Sequence, residues 1–278
     1  MTLADHGFVD IGDMRLEYRF HGPRPQAAPT IVLLHEGLGS VDVWGSFAEK
    51  LAAATGAGIF SYSRAGYGRS SPSKLPRPVS FMHEEARLVL PRVLDALDFR
   101  RGLLLGHSDG ASIATIYTGS IQDHRVRGLV LIAPHFVTED MGLAEIARAK
   151  AAFEQGSLRA KLARTHADPD NAFQNWCDPW LDPEFRNFDL TDELAHIRVP
   201  ILIVQGEDDQ YGTVRQIELA QDECYCPVDA VLLPNTRHAP HREAPEPTLR
   251  AVADFCNRLL RDHREGNVCR DRAQSVVS

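Results

Sequence analysis

The sequence predicts an α/β fold whose central sheet is mostly parallel, and three observations predict it. Short apolar runs without polar alternation recur along the chain, among them Ile31–Leu34, Leu103–Leu105, Leu129–Ile132 and Ile201–Val204. Such runs suit strands that are buried on both faces. Stretches of helical length and spacing lie between them, and strand–helix alternation folds into a parallel sheet covered by helices on both sides. Several strand ends lead into loops rich in glycine, histidine and carboxylates, which is where open α/β sheets bind ligands.

Taken in order, Phe8–Ile11 and Met14–Phe20 alternate apolar and polar residues around Gly12-Asp13, the pattern of an antiparallel hairpin. A proline-rich loop leads to the strand Thr30–Leu34 and then to His35-Glu36-Gly37-Leu38-Gly39-Ser40 and a helix from Trp44 to Ala54. A strand at Gly58–Tyr62, a second proline-rich loop and an amphipathic helix from Phe81 to Leu97 follow. After the strand and helix around Gly106–Gly110 comes the strand Val126–Ala133. The alternation then stops: 136–188 carries helical patterns and the aromatic residues Phe173, Trp176, Trp180, Phe185 and Phe188. It resumes with the strand Val199–Gln205, a helix at Val214–Gln221, the strand Val228–Leu233 and a last helix from Glu246 to Arg261. The expected division is a core of 1–135 and 189–263, a helical insertion at 136–188 too short for a core of its own, and a polar, disordered tail at 264–278.

Composition narrows the function classes. Thirty basic against thirty-eight acidic residues give a formal charge of -8, which argues against nucleic acid or an anionic membrane as partner. The first residues carry no basic, apolar leader pattern, and no apolar run approaches a membrane span. Five scattered cysteines suit reduced thiols, so the expected location is the cytoplasm. The twelve histidines show no metal-ligand spacing, and neither a metal nor an organic cofactor is expected.

The most informative stretch is Leu103-Leu104-Leu105-Gly106-His107-Ser108-Asp109-Gly110-Ala111-Ser112-Ile113. A Gly-x-Ser-x-Gly core between a strand and a helix is the setting in which a sharp turn projects a serine hydroxyl from the strand end. A Cβ at Gly106 or Gly110 would meet neighbouring backbone in such a turn. Capping the helix is the other use of a serine there. A serine hydroxyl attacks poorly at neutral pH, so it requires a base and a group that orients the base. Two later loops offer them: Gly206-Glu207-Asp208-Asp209-Gln210-Tyr211 and Asn235-Thr236-Arg237-His238-Ala239-Pro240-His241-Arg242-Glu243. Both follow strands, on the rim that Ser108 occupies if the sheet is parallel.

From Phe8 to Arg261 this order of elements and motifs resembles the α/β-hydrolase superfamily, in particular its capped serine esterases and carbon–carbon-bond hydrolases. The resemblance implies the α/β-hydrolase fold, with about eight strands and a small helical cap at 136–188. It implies Ser108 as nucleophile, His238 as base and Asp209 as acid. Glu207 and Asp208 compete for the acid, and His241 for the base. His35-Glu36-Gly37 resembles the family's His-Gly-x oxyanion loop, which implies the N–H groups of Gly37 and Asp109 as donors, each typically worth about 3 kcal/mol. Glu36 stands where the family usually has glycine; it is expected to turn away or be paired, bracing the loop or touching substrate. Arg64-Ala65-Gly66-Tyr67-Gly68-Arg69-Ser70 resembles a structural turn of the family, and His35 and His107 are expected to be packed, hydrogen-bonded histidines. Trp44, His135, Phe136, Trp176, Trp180 and Tyr211, with Glu36, are the expected pocket residues.

The expected reaction is hydrolysis of a carboxylic ester of a small, largely apolar substrate through an acyl-enzyme. A carbon–carbon hydrolase of a ring-cleavage diketone uses the same three groups. A ligand-binding protein on a hydrolase scaffold is the reading from another class. The expected partner is a small-molecule ester, the protein itself being a monomer or a homodimer.

Overall fold

The computed structural model describes residues 3–274 of the 278-residue chain, and side chains through Leu260. Eight strands form one sheet: β1 (His6–Ile11), β2 (Met14–His21), β3 (Thr30–Leu34), β4 (Gly58–Tyr62), β5 (Gly102–His107), β6 (Val126–Ile132), β7 (Ile201–Gly206) and β8 (Val228–Leu233), in the order β1-β2-β4-β3-β5-β6-β7-β8. The β1/β2 and β2/β4 pairs are antiparallel, and every later pair is parallel. The mostly parallel α/β sheet expected from the sequence is therefore what forms. The registers Leu34↔Gly106, His107↔Ile132, Ile132↔Val204 and Gly206↔Leu233 bring the carboxyl ends of β3, β5, β6, β7 and β8 to one rim.

The helices are α1 (Gly45–Thr55), α2 (Phe81–Glu84), α3 (Leu90–Ala96), α4 (Asp109–Ser120), α5 (Asp140–Glu154), α6 (Ser157–Leu162), α7 (Pro169–Leu181), α8 (Thr191–His196), α9 (Arg215–Glu223), α10 (Pro240–Glu243) and α11 (Pro245–Gln274). Strand side chains alternate between two apolar layers. Val32, Leu34 and Leu104 join Phe81, Leu90 and Ile113 on one face, while Ile31, Leu33 and Leu105 join Phe47, Leu51 and Phe255 on the other. Both faces are dry, so the strands read as unbroken apolar runs, and each such side chain contributes about 1.5–3 kcal/mol on burial.

Three boundaries differ from the sequence expectation. The helix expected over Phe81–Leu97 is interrupted by a π-helical turn at Glu85–Val89. Pro91 enters α3 without an N–H to give, which removes the α-type bond to the preceding turn and admits the wider one. A 3-10 turn at Val41–Trp44, capped by the Ser40 hydroxyl, precedes α1. The last helix continues past Arg261 to Gln274 in backbone; the rest of the expected tail, 275–278, lies outside the described residues.

Between β6 and β7 the chain carries α5, α6 and α7 and then α8, and the first three belong to the segment 137–189. A bridge between Val137 and Asp189, with the Leu190 N–H donating to Phe136 O at 2.8 Å, draws its two ends together.

Candidate active site

β5 runs down the middle of the sheet and ends at His107, and α4 starts at Asp109. One residue must reverse the chain between them. Ser108 does so at φ 52° and ψ −119°, a conformation that costs a non-glycine residue on the order of 1–3 kcal/mol. The turn is tight enough to require its glycines: a Cβ at Gly106 would stand 2.2 Å from Gly110 O, and one at Gly110 would stand 2.0 Å from Leu34 O. The Ser108 N–H donates to Ile132 O at 2.9 Å, and the Ala111 N–H donates to Ser108 O at 2.8 Å. The strain is held from both sides, and the hydroxyl has a fixed heading.

That heading ends on His238. Its Nε2 lies 2.9 Å from Ser108 Oγ, and its Nδ1 lies 2.8 and 3.0 Å from the two carboxylate oxygens of Asp209. Asp209 follows β7 and His238 follows β8, so three strand ends supply the three groups. Burial alone would raise the Asp209 carboxyl, but the charge and hydrogen bond of His238, with the Tyr211 N–H at 2.9 Å, hold it below its usual range. An ionised Asp209 only accepts, so Nδ1 carries the proton and Nε2 turns a lone pair toward the serine. The competing acids Glu207 and Asp208 are exposed. The competing base His241 is buried, its ring packed on Trp44 and His107 with centroids 5.2 and 4.8 Å apart.

The loop after β3 is fastened by side chains. His35 donates from Nδ1 to Glu36 O at 2.7 Å and accepts at Nε2 from the Arg64 N–H at 3.0 Å, which sets its tautomer. Burial, reinforced by the neighbouring Arg64 charge, lowers its pKa and keeps it neutral. The buried Arg64 guanidinium donates to His35 O at 2.5 Å and to Glu36 O at 3.0 Å. Gly37 lies under the Trp176 indole, with a would-be Cβ 2.1 Å from the ring. Among the described residues the N–H groups of Gly37 and Asp109 have no protein acceptor.

Glu36 is paired. Its Oε2 lies 3.3 Å from His107 Nδ1, and His107 Nε2 lies 2.7 Å from His238 O. Burial alone would raise the Glu36 carboxyl and lower His107, yet their mutual hydrogen bond and charge outweigh it in both cases. Glu36 is therefore held well below the carboxylate range and His107 above the usual imidazole value. The pair ties the loop after β3 to the loop after β8.

A cavity of about 100 Å³ lies over the serine. Ser108, His238, Gly37 and Asp109 line it, with Glu36, His135 and Tyr211 around them. From the segment after β6, Trp176 and Trp180 close it, and so do Glu139, Gly142 and Ile146, which sequence reasoning missed. The helical spacing of Ile146 on α5 marks it as apolar without telling which surface it meets; Leu38, also missed, had only its nearness to Gly37. Two expected pocket residues stand elsewhere. Phe136 is fully buried in the core, with its N–H donating to Gln216 Oε1 at 2.7 Å. Trp44 is buried against a neighbouring cavity. Phe136 stands four residues past β6 and Trp44 ends the 3-10 turn before α1, and each ring packs into one of the two apolar layers.

Two buried ionisable side chains, Asp109 and His135, line this chamber. Asp109 is fully buried, its Oδ1 accepting from Trp180 Nε1 at 3.1 Å and its Oδ2 without a partner, and burial pushes it up to about 6. Burial, with His238 adjacent, lowers His135 to about 3. Among the described residues no group of three or more His, Cys, Asp or Glu side chains could hold a metal ion, and no helix is long and apolar enough to cross a membrane.

Comparison with known proteins agrees with this architecture. A proline iminopeptidase from Lactobacillus acidophilus is 27% identical over 233 residues, covering 69% of this chain and 78% of the relative. An enol-lactonase from Burkholderia xenovorans superposes with a TM-score of 0.70 at 18% identity, covering 90% of this chain and 99% of the other. A structure from a study of carboxylesterases of the Thaumarchaeon Nitrososphaera gargenis gives a TM-score of 0.74 at 17% identity, covering 92% and 100%. The model of the alpha/beta hydrolase family matches residues 31–251, from β3 into α11 and across every element that carries the serine, the histidine and the aspartate. The chain belongs to the alpha/beta hydrolase family and is a hydrolase.

Proposed function

We propose that the protein hydrolyses a carboxylic ester of a small, largely apolar acid through an acyl-enzyme on Ser108. His238 Nε2 takes the serine proton as Oγ attacks the carbonyl carbon, and Asp209 steadies the imidazolium that results. The N–H groups of Gly37 and Asp109 receive the carbonyl oxygen as it gains charge. The carbon–oxygen bond to the leaving group breaks, and His238 returns the proton to the departing oxygen. Water, deprotonated by the same imidazole, then releases the acid and restores the serine. Residues 136–188 act as a cap on a core of 1–135 and 189–263, with Trp176 and Trp180 excluding water from the chamber.

The observation that carries this reading is the unbroken contact chain from Ser108 Oγ through His238 to Asp209, at 2.9 and 2.8 Å. Labelling with a fluorophosphonate and turnover of a panel of short-chain esters test it on the same preparations. Wild type is expected to label and to turn over short acyl esters, and Ser108→Ala to do neither. Labelling that persists in Ser108→Ala moves the nucleophile elsewhere.

A further inference from the structure

A second, larger cavity of about 710 Å³ adjoins the serine chamber, the two sharing Glu36 and Leu38 as walls. Its wall carries His241 and Arg242 of α10, which begins two residues beyond His238, so it lies on the side of the histidine loop. A group that leaves the serine adduct takes its proton from His238 and so departs toward that side. The inner chamber of about 100 Å³ holds only a few water-sized volumes, at ~30 Å³ for each water. It suits a short acyl group and leaves the rest of any larger substrate to the outer cavity.

The charge on that outer wall is lopsided. Its acids are spoken for: Glu36 pairs with His107, and Asp42 with Arg19. Lys50 pairs with Glu246. Lys161, Arg164 and Arg242 line the same cavity, and among the described residues their side chains have no acidic partner. Three uncompensated cations thus gather at one opening of a chain whose formal charge is -8. A second observation points the same way. Trp44 and His241 stand in this wall only 2% and 3% exposed, yet Trp44 Nε1 and both ring nitrogens of His241 have no hydrogen-bond partner. Burial lowers His241 to about 3 and keeps its ring neutral, so Trp44 Nε1 and one His241 nitrogen are the unpaired donors, each at a cost of about 1–3 kcal/mol that an acceptor oxygen reaching them from the cavity would relieve.

We propose that the outer cavity is a leaving-group subsite selective for an alcohol or thiol that carries an anion, a carboxylate or a phosphate. The proposal rests on the acyl-transfer reading for the direction of departure. The Ser108 Oγ–acyl bond forms as the acyl–oxygen or acyl–sulfur bond breaks, the proton passes from His238 Nε2 to the departing atom, and the anion stays on Lys161, Arg164 and Arg242.

The test uses three acetate esters of one benzyl alcohol whose para substituent is a carboxylate, a phosphonate or a neutral carboxamide. The remote substituent leaves the reactivity of the ester nearly constant. For wild type at low ionic strength, kcat/KM for at least one anionic ester is expected to exceed that for the carboxamide by about tenfold, and the ratio to shrink as salt is added. Which anion gains more separates a phosphate-bearing from a carboxylate-bearing natural group. In the Lys161→Ala, Arg164→Ala, Arg242→Ala triple variant the ratio is expected to fall to about onefold. A ratio from one preparation does not depend on how much of the variant is folded. Equal turnover of the charged and neutral esters by wild type, or a preference that survives in the triple variant, overturns the subsite. If wild type cleaves none of the esters, the ester reading fails separately, and calorimetric binding of the three free alcohols decides the subsite. Tighter binding of an anionic alcohol supports it, and equal or absent binding overturns it.

Discussion

Replacing Glu36 by Gln isolates the work of the Glu36–His107 pair. The amide keeps the shape and one acceptor oxygen but removes the charge that holds His107 protonated. His107 is 2% exposed and Glu36 20%, so water screens the pair only weakly. Hydrogen bonds to charged groups are worth about 1.5–3 kcal/mol and neutral ones about 0.5–1.5, a difference of about 1–1.5 kcal/mol. For a chain of this size that corresponds to a fall in Tm of about 2–3 °C. The pH dependence follows from the direction of each shift. Glu36 is depressed, so its contribution is present above the unfolded carboxylate value of about 4.3 and fades as pH falls below it. His107 is raised, so its contribution is complete below about 6.5 and fades as pH rises through its folded value. The Tm gap between wild type and Glu36→Gln is therefore widest between about pH 4.5 and 6.5 and narrows in alkali. His107 also holds His238 O at 2.7 Å, so a loosened imidazole is expected to lower kcat about two- to fivefold, the equivalent of ~0.5–1 kcal/mol. Thermal unfolding and ester kinetics across pH measure both effects. A gap below about 1 °C near pH 6, or one that does not vary with pH, refutes the ion pair as a brace.

Other substitutions probe the remaining contacts. Asp209→Asn keeps the geometry but offers an N–H to His238 and favours the wrong tautomer, so kcat is expected to fall by about 10⁴-fold, measured by steady-state ester hydrolysis. Gly37→Ala drives a Cβ to 2.1 Å from the Trp176 indole. It is expected to lower kcat/KM at least about a hundredfold, the size of effect seen when an oxyanion donor is lost, and adding Trp176→Ala should recover part of the Tm loss in a double-mutant cycle. Asp109 is raised to about 6, so ionising it costs stability as pH rises from its unfolded value through 6. Asp109→Asn is accordingly expected to stabilise the protein by up to about 2–3 kcal/mol near pH 8 and not near pH 4, read by denaturant titration.

How far the sequence could be read depended on whether the signal was local. The parallel strands were legible because burial on both faces leaves only apolar residues in each run, and the elbow was legible because its glycines answer a backbone clash inside five residues. The Ser108, Asp209 and His238 contacts follow from strand order, since each residue lies just past a strand that ends on the same rim. Glu36 was expected to be paired or turned away, but its partner is 71 residues distant and no spacing rule connects them. Phe136 and Trp44 show the opposite failure: Phe136 was expected in the chamber from its place just past a strand end, and Trp44 beside it, while each ring packs into one of the two apolar layers. Leu38, Glu139, Gly142 and Ile146 line the chamber through tertiary packing of segments whose local patterns say only loop or helix. The helix continuing to Gln274 lacks apolar periodicity near its end, so the pattern used to find helices stopped before the backbone did.

The hydroxyl and the imidazole hang from strands of unequal security. β5 is buried along its whole length, whereas β8 is an edge strand, mostly open to water, with Leu233 its one buried residue. Fraying that peels the outer strand away leaves the centre intact and carries off the proton acceptor. Hydrolysis is then a reporter of the sheet's margin, and in rising denaturant it should vanish before the circular dichroism of the interior moves. A loss of both signals together would mean that the margin is pinned as firmly as the middle.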